Sequence, residues 1–484
     1  MKGTEKQLTP TKCLDLNLML LKLGPVFPLD VSSSTWINIL YKGYISITVF
    51  FYLVLTASAP LYIFCRDYPL EVAIELISIF ITQIRSGMNI VTFIIYKKEI
   101  QNLITSLYRN FYIHGTNLSA EESSVVREAM DHARSMTIGY VTLYSITGLS
   151  MILHPLTFKS TDLDQDDAFN HTEGPHRILP FKTWYPKWDT TKSPQYEIEY
   201  FVQATLTALE AWCVSCTDTF CVTLMIYAGC QFDLLGLALK NMNKNMKSDI
   251  GAHKKGTNAS YPIQTLSLNN STLPVIPEEN EGKIRNNVST SGRLKASDES
   301  TLQDKGWEDG YHVPPTVKSC MQVERETATY IKECIKHHQS VLVYVAEMNK
   351  CFSTLFFVLF MTASLLICLL GFQVIVKPPR GLMFVRVLLH WLCTVFELGF
   401  FCWYGSEVMH KSERVYQKAY DCAWQDLFSG AKQFIPVIIM RAQRPAAVRA
   451  GLFGNICLPT FGTLMKNAYS YLAILRQMHE GDGA

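Results

Sequence analysis

Ionisable side chains set inside long apolar runs are the residues of this 484-residue chain best placed to do chemistry. Glu75 and Arg85 sit among Ile and Phe residues. Glu210 and Asp218 interrupt the run from Ile198 to Tyr227, and Arg386, His390 and Glu397 fall within Leu382 to Tyr404. A charge at that depth is costly in hydrocarbon, so each is expected to face a bundle interior or a wet cavity, paired there or lining a path for ligand or ion. A second set closes the chain. Gly454 to Met478 is long enough to cross a bilayer, yet it carries Lys466, Tyr469, Ser470, Tyr471, Arg476 and Gln477, which a simple anchor would avoid. Tyr471, Ile474, Leu475 and Met478 recur at helical spacing, with Ile474 and Met478 one turn apart. That pattern suits a pore wall whose aliphatic ring closes by dewetting, and it also suits an ordinary packed membrane helix.

Other chemistries find little support. Cys213 and Cys216 form a Cys-x-x-Cys pair, but most cysteines lie in apolar spans, where buried free thiols are the expectation. His337 and His338 are adjacent and cannot share a helix face. Asp162, Asp164, Asp166 and Glu173 match calcium-loop positions, but Asp167 stands where that turn needs Gly, so a solvated acidic loop is preferred. No metal and no cofactor is expected. Without zinc-site spacing, a nucleophile elbow or a paired intramembrane aspartate motif, the chain does not read as an enzyme. A net charge of +2 with no polybasic block gives no nucleic-acid partner.

The elements that must position these residues are membrane helices. With 48% hydrophobic and 18% charged residues, the chain reads as an all-α polytopic membrane protein. The expected spans are Tyr44 to Phe64, Leu70 to Tyr96, Met136 to Leu156, Ile198 to Tyr227, Cys351 to Val376, Leu382 to Tyr404 and the closing helix. Ser119-x-x-Glu122 predicts a capping box before the third span. In the loop after it, Leu179 to Pro186 holds Trp184 and Tyr185, which suit the membrane interface and predict a lid. Met409 to Met440 predicts one amphipathic cytosolic helix, with Val415, Tyr416, Ala419, Tyr420, Ala423 and Leu427 on its apolar face.

These readings divide the chain into a cytosolic N-terminal segment (1–43), helices 1–4 with their loops (44–242) and an insert (243–319). A cytosolic helix with helices 5–6 (320–408), an anchor helix (409–453), a pore-lining helix 7 (454–478) and an extracellular tail (479–484) follow. The insert is rich in Asn, Ser, Thr, Lys, Gly and Pro, a composition that cannot bury a core, and is expected to be disordered. The start has no apolar stretch with a small-residue cleavage site, so the first span is expected to act as the signal. Lys and Arg concentrate before the first span, in Lys97 to Arg134 and in Lys411 to Arg449, which puts the N-terminus in the cytosol and, with seven spans, the C-terminus outside. A G-protein-coupled receptor would have the reverse orientation. Asn170 is then the glycosylation candidate.

The end of the chain, Arg441-Ala-Gln-Arg-Pro445, Phe461 and Lys466-x-Ala-Tyr-Ser-Tyr-x-x-x-Leu-Arg476, resembles the C-terminal signature of insect odorant receptors. Leu179 to Pro186, Ile335-Lys-His-His-Gln339 and Leu370-Gly-Phe-Gln373 resemble the tuning members of that family. Tyr471 followed by Gln477 and Met478 is also similar to the ending of gustatory receptors, but Ser470 and Met478 replace the Thr and Phe of that branch. The resemblance implies an odorant-gated, nonselective cation channel in the plasma membrane of olfactory sensory neurons. It would be a heterotetramer of tuning subunits with a shared co-receptor. It further implies that Met409 to Met440 joins an anchor domain, and that Tyr471, Ile474, Gln477 and Met478 line the pore and gate. A pocket for small volatile ligands is implied between the second and sixth helices. By depth, its candidates are Phe80, Gln83, Ser145, Leu149, Ile152, Leu209, Trp212 and Phe372, each of which plain core packing would also explain. The long insert departs from the tuning-receptor pattern, and a regulatory tail, a tolerated loop expansion or a gene-model error all fit it.

Overall fold

The computed structural model describes residues 14–25, 35–65, 70–109, 119–157, 178–242 without 184, 186, 187 and 191, 315–376, 378, and 381–481 without 428. The described residues are helical almost throughout. In order they form α1 (Asp15–Leu23), α2 (Thr35–Cys65), α3 (Leu70–Ile95), α4 (Lys97–Arg109), α5 (Ala120–Thr157) and α6 (Gln195–Lys240). Then come α7 (Pro315–Ile375), α8 (Leu382–Asp421), α9 (Ser429–Lys432), α10 (Ile435–Ala442) and α11 (Leu458–Gly481). Six of them, α2, α3, α5, α6, α7 and α8, are long and apolar enough to cross a membrane. α11 runs for 24 residues, about 36 Å at 1.5 Å per residue, but its Lys, Arg, Asn and Gln keep it below that apolar measure.

Burial follows lipid logic. Ile47, Phe50, Leu53, Phe201 and Trp403 point outward, as they must where the surrounding solvent is hydrocarbon. α6 lies at the centre, packed on α5, α8 and α7, and 89% of its apolar window is buried. α1 lies across α5 and α6. Asn17 Nδ2 donates to Thr137 Oγ1 at 3.2 Å, and Trp212 Nε1 donates to the Leu20 carbonyl at 3.1 Å, near the end of α1.

The expected helices are present: α2, α5, α6, α7 and α8 run well past their expected spans, α3 nearly matches its own, and the closing helix α11 starts at Leu458, four residues after Gly454. α5 begins at Ala120 because the predicted capping box forms. Ser119 N–H donates to Glu122 Oε2 at 2.8 Å, and Glu122 N–H donates to Ser119 Oγ at 3.2 Å. α5, α6, α7 and α8 all continue past their apolar stretches on one side, and there they pack together. His132 meets Tyr404 OH at 2.9 Å, Asn241 donates to Glu121 at 2.7 Å, and Lys411 pairs with Asp233 at 2.8 Å. α7 starts at Pro315, inside the segment read as insert; residues 243–314 of that segment lie outside the described residues.

Met409 to Met440 is not one helix. Its first part is the end of α8, which stops at Asp421. A 3-10 turn (Trp424–Asp426), α9 and α10 follow, and Pro436 sits in the first turn of α10. Of the expected apolar face, Val415, Ala419 and Leu427 are buried and Tyr416 is half-buried, while Tyr420, still within α8, and Ala423, beyond its end, are exposed.

Candidate functional site

Arg85 of α3 is the anchor of the site. Its Nη1 donates to Glu397 Oε2 of α8 at 2.6 Å, and its Nη2 donates to Asp218 Oδ2 of α6 at 2.8 Å. Two α5 phenols complete the network: Tyr140 OH donates to Asp218 Oδ2 at 2.9 Å, and Tyr144 OH to Glu397 Oε2 at 2.7 Å. Four helices thus meet on one guanidinium, whose fork geometry can serve two carboxylates at once. A second pair, Arg386 of α8 with Glu75 of α3, lies nearer the loop after α5. Arg386 Nη1 also reaches the Pro180 carbonyl of that loop, at 3.5 Å. The expectation of interior-facing, paired charges therefore holds for Arg85, Asp218, Glu397, Glu75 and Arg386. Glu210 has no ion-pair partner among the described residues, and its Oε1 is buried without a hydrogen bond.

Beside this network lies a cavity of about 90 Å³. α3 contributes Ile79, Thr82, Gln83 and Arg85; α5 contributes Tyr144, Thr147, Gly148 and Met151. α6 adds Thr207, Glu210, Ala211 and Val214, and α7 and α8 close it with Leu366, His390, Cys393, Thr394 and Glu397. Gly148 lets α5 and α6 approach: a Cβ there would meet the Ala211 Cβ at 3.0 Å.

The cover comes from the loop before α6, through Phe181, which is 7% exposed and lines the cavity. Gln203 holds it in place. Phe181 N–H donates to Gln203 Oε1 at 2.9 Å, and Gln203 Nε2 donates to the Phe181 carbonyl at 3.3 Å, to Thr183 Oγ1 at 3.2 Å and to Glu199 Oε1 at 2.9 Å. Tyr185 OH also reaches Glu199, at 3.4 Å. Burial, and then the Glu199 charge, push the Tyr185 phenol up to about 12, so it stays a donor at neutral pH. The predicted lid residue Trp184 lies outside the described residues, as do Asn170 and the acidic loop.

Of the eight candidate ligand contacts, the cavity includes Gln83 alone. Ser145 and Leu149 are exposed on the outer face of α5, and Ile152 is half-buried beside them. Phe80 is one residue from the cavity-lining Ile79, and Phe372 is buried away from the cavity. Leu209 and Trp212 line a shallow surface groove with Leu23 and Phe201, where Trp212 bonds to α1 instead. On α5 the candidates sit one position beyond Tyr144, Gly148 and Met151, a rotation of about 100° toward lipid. Small and polar residues (Thr147, Gly148, Thr207) were the available signal for the true inner face.

α11 has two distinct faces. Leu464 and Ala468 are buried, Phe461, Met465, Leu472 and Leu475 are half-buried against its neighbours, and Leu472 lies near Gly371 of α7. Lys466, Tyr469, Tyr471, Ile474 and Gln477 stay exposed. Leu475 belongs to the packed side, not to the Tyr471 and Ile474 face, and the Met478 side chain lies outside the described set. Among the described residues, no group of three His, Cys, Asp or Glu side chains is placed to hold a metal, and the cysteines are free thiols.

A bundle with an apolar exterior, an ionic interior and a small cavity between its helices defines a polytopic helical membrane protein. The chain belongs to the 7tm odorant receptor family, whose model matches residues 70–469. This is a membrane chemoreceptor family and not an enzyme family. The chain is 22% identical over 384 residues to Odorant receptor 10 of Aedes albopictus, covering 79% of this chain and 78% of that protein. It is 28% identical over 158 residues to Putative odorant receptor 92a of Drosophila melanogaster, a match spanning 33% of this chain and only 38% of that relative. Its fold is similar to that of the olfactory receptor OR5 from Machilis hrabei in complex with eugenol, with TM-score 0.70, 14% identity, and coverage of 98% of this chain and 100% of that one.

Proposed function

We propose that this chain is the tuning subunit of a heteromeric, odorant-gated, nonselective cation channel, with the covered cavity as its volatile-ligand site and α11 as one wall of the pore. The observation that carries the reading is the division of labour between the two sites. The cavity is bordered by five spanning helices and a tethered Phe181, while α11 keeps a face with Tyr471, Ile474 and Gln477 bare of its own subunit. A bare face of that kind suits a helix completed by other subunits. Relatives include an Odorant receptor coreceptor of Anopheles gambiae, 23% identical over 312 residues and covering 62% of this chain, and a coreceptor of that kind is the partner this reading names. In the family's orientation the cavity lies in the outer half, the N-terminus in the cytosol, and the packed extensions of α5 to α8 form the cytosolic anchor.

Ligand coupling requires only that an odorant prefer the open arrangement of these helices over the closed one. The test is co-expression with an odorant receptor coreceptor while currents are recorded to a panel of volatile compounds. The reading expects odorant-evoked cation currents whose gating or reversal potential changes for Ile474→Ala and Gln477→Ala. Currents untouched by both would remove α11 from the pore. A co-receptor role is the second reading, favoured by the match to that relative. Odorant-independent support of currents from other receptors would establish it.

A further inference from the structure

The cations beside the cavity are already engaged. Arg386 is matched by Glu75, and Arg85 serves both Asp218 and Glu397. Tyr140 and Tyr144 each spend their hydroxyl on one of those carboxylates. Among the described residues Glu210 adds a carboxyl group to the cavity wall with no ion-pair partner within bonding distance, and its Oε1 has no hydrogen-bond donor. Gln83, 2% exposed on the same wall, likewise has a buried side-chain oxygen with no donor. Two unsatisfied acceptors, one of them a carboxyl oxygen, therefore border a small cavity whose apolar wall includes Ile79, Met151, Ala211, Val214 and Leu366. Buried acceptors of this kind are stabilised by a ligand that brings donors, and a buried anion by one that brings positive charge.

We propose that the cavity selects a compact aliphatic amine, bound as its ammonium ion by the Glu210 carboxylate and the Gln83 side-chain oxygen, with its alkyl part against Ile79, Met151 and Val214. This deepens the reading of the cavity as the volatile-ligand site and rests on it. An ammonium supplies several N–H donors and a positive charge that holds Glu210 as its carboxylate, whereas an alcohol of the same shape supplies one O–H and no charge. Small size is part of the selection. The space is well below the roughly 300–1,000 Å³ typical of drug-sized ligands.

The test is thermal stabilisation of the purified full-length chain in lipid nanodiscs by isobutylamine and by isobutanol, which share a carbon skeleton. Isobutylamine is expected to raise the melting temperature at about tenfold lower concentration than isobutanol. Glu210→Gln is expected to bring the amine to the level of the alcohol, while Glu210→Asp, which keeps the charge, retains the preference and controls for folding at this position. Equal stabilisation of the wild type by both compounds would overturn the amine assignment and leave the ligand cavity standing, as would an amine preference that survives Glu210→Gln. Stabilisation by neither compound would overturn the amine assignment and the cavity reading together.

Discussion

Arg85 and Glu397 stand 312 positions apart in the chain and meet at 2.6 Å in the centre of the bundle, joining α3 to α8. Removing the cation would leave Asp218 and Glu397 buried together without compensation. Arg85→Leu is therefore expected to destabilise the fold by about 3–5 kcal/mol, the usual consequence of orphaning a buried charge. Glu397→Gln should cost much less, because its amide oxygen still accepts from Tyr144 and Arg85 keeps Asp218. Surface expression measured by an external tag checks both. Wild-type surface levels of Arg85→Leu would show that the network does not hold the helices.

The cover over the cavity depends on Gln203, whose amide pairs with both backbone groups of Phe181. Gln203→Leu leaves those groups without partners and frees the ring. Odorant dissociation should quicken by about three- to tenfold, since losing buried hydrogen bonds here is worth about 1 kcal/mol or more. Deactivation rates after odorant washout read this directly. Unchanged rates would mean that Phe181 is held by packing alone.

Tyr185 contributes a pH signature outside the spans. Its phenol is pushed up to about 12 in the fold, so its contribution to stability is complete below the ordinary tyrosine range and declines as pH rises through about 12. Melting of the wild type should fall more steeply than that of Tyr185→Phe between neutral and strongly alkaline pH. Parallel curves for the two proteins would contradict burial of this hydroxyl.

Gly405 sits where α8 passes under the segment leading into α11, and a Cβ there would lie 2.3 Å from the Ile456 carbonyl oxygen. Gly405→Ala must push that segment away and is expected to cost roughly 1–3 kcal/mol, as overpacking does elsewhere. Because Ile456 lies two residues before α11, assembly should suffer as well as stability. A melting curve and a subunit cross-linking assay on the same preparation test this, and a neutral effect on both would show that the segment yields easily.

The spans and their buried charges were legible in the sequence because a carboxylate among Ile and Phe residues has few places to go, and Arg85, Asp218 and Glu397 found one another. The Ser119 capping box was legible for the same local reason. The inner face of α5 was not. In lipid the outer face is as apolar as the inner one, so hydrophobic periodicity gives no phase, and Ser145, Leu149 and Ile152 were placed on the wrong side of Thr147 and Gly148. The stop of α8 at Asp421 has no Gly or Pro beside it, since Gly430 and Pro436 lie further on within α9 and α10, and the apolar repeat continues across it. Nothing in the sequence sets Phe181 apart from the larger Trp184 and Tyr185 of the same loop. Its pairing with Gln203 is a contact that no local pattern announces.

Odorant binding in the Phe181-covered cavity is proposed to open the channel. Met151 lines that cavity, whereas Leu149, two residues before it on α5, points outward with 53% exposure. Concentration–response currents from cells expressing this chain with a co-receptor, at matched surface levels, compare the two positions. The account predicts that Met151→Ala shifts the half-maximal odorant concentration by about tenfold, in line with the loss of well-packed ligand contacts, while Leu149→Ala shifts it by less than about twofold. A large shift for Leu149→Ala with none for Met151→Ala would contradict it.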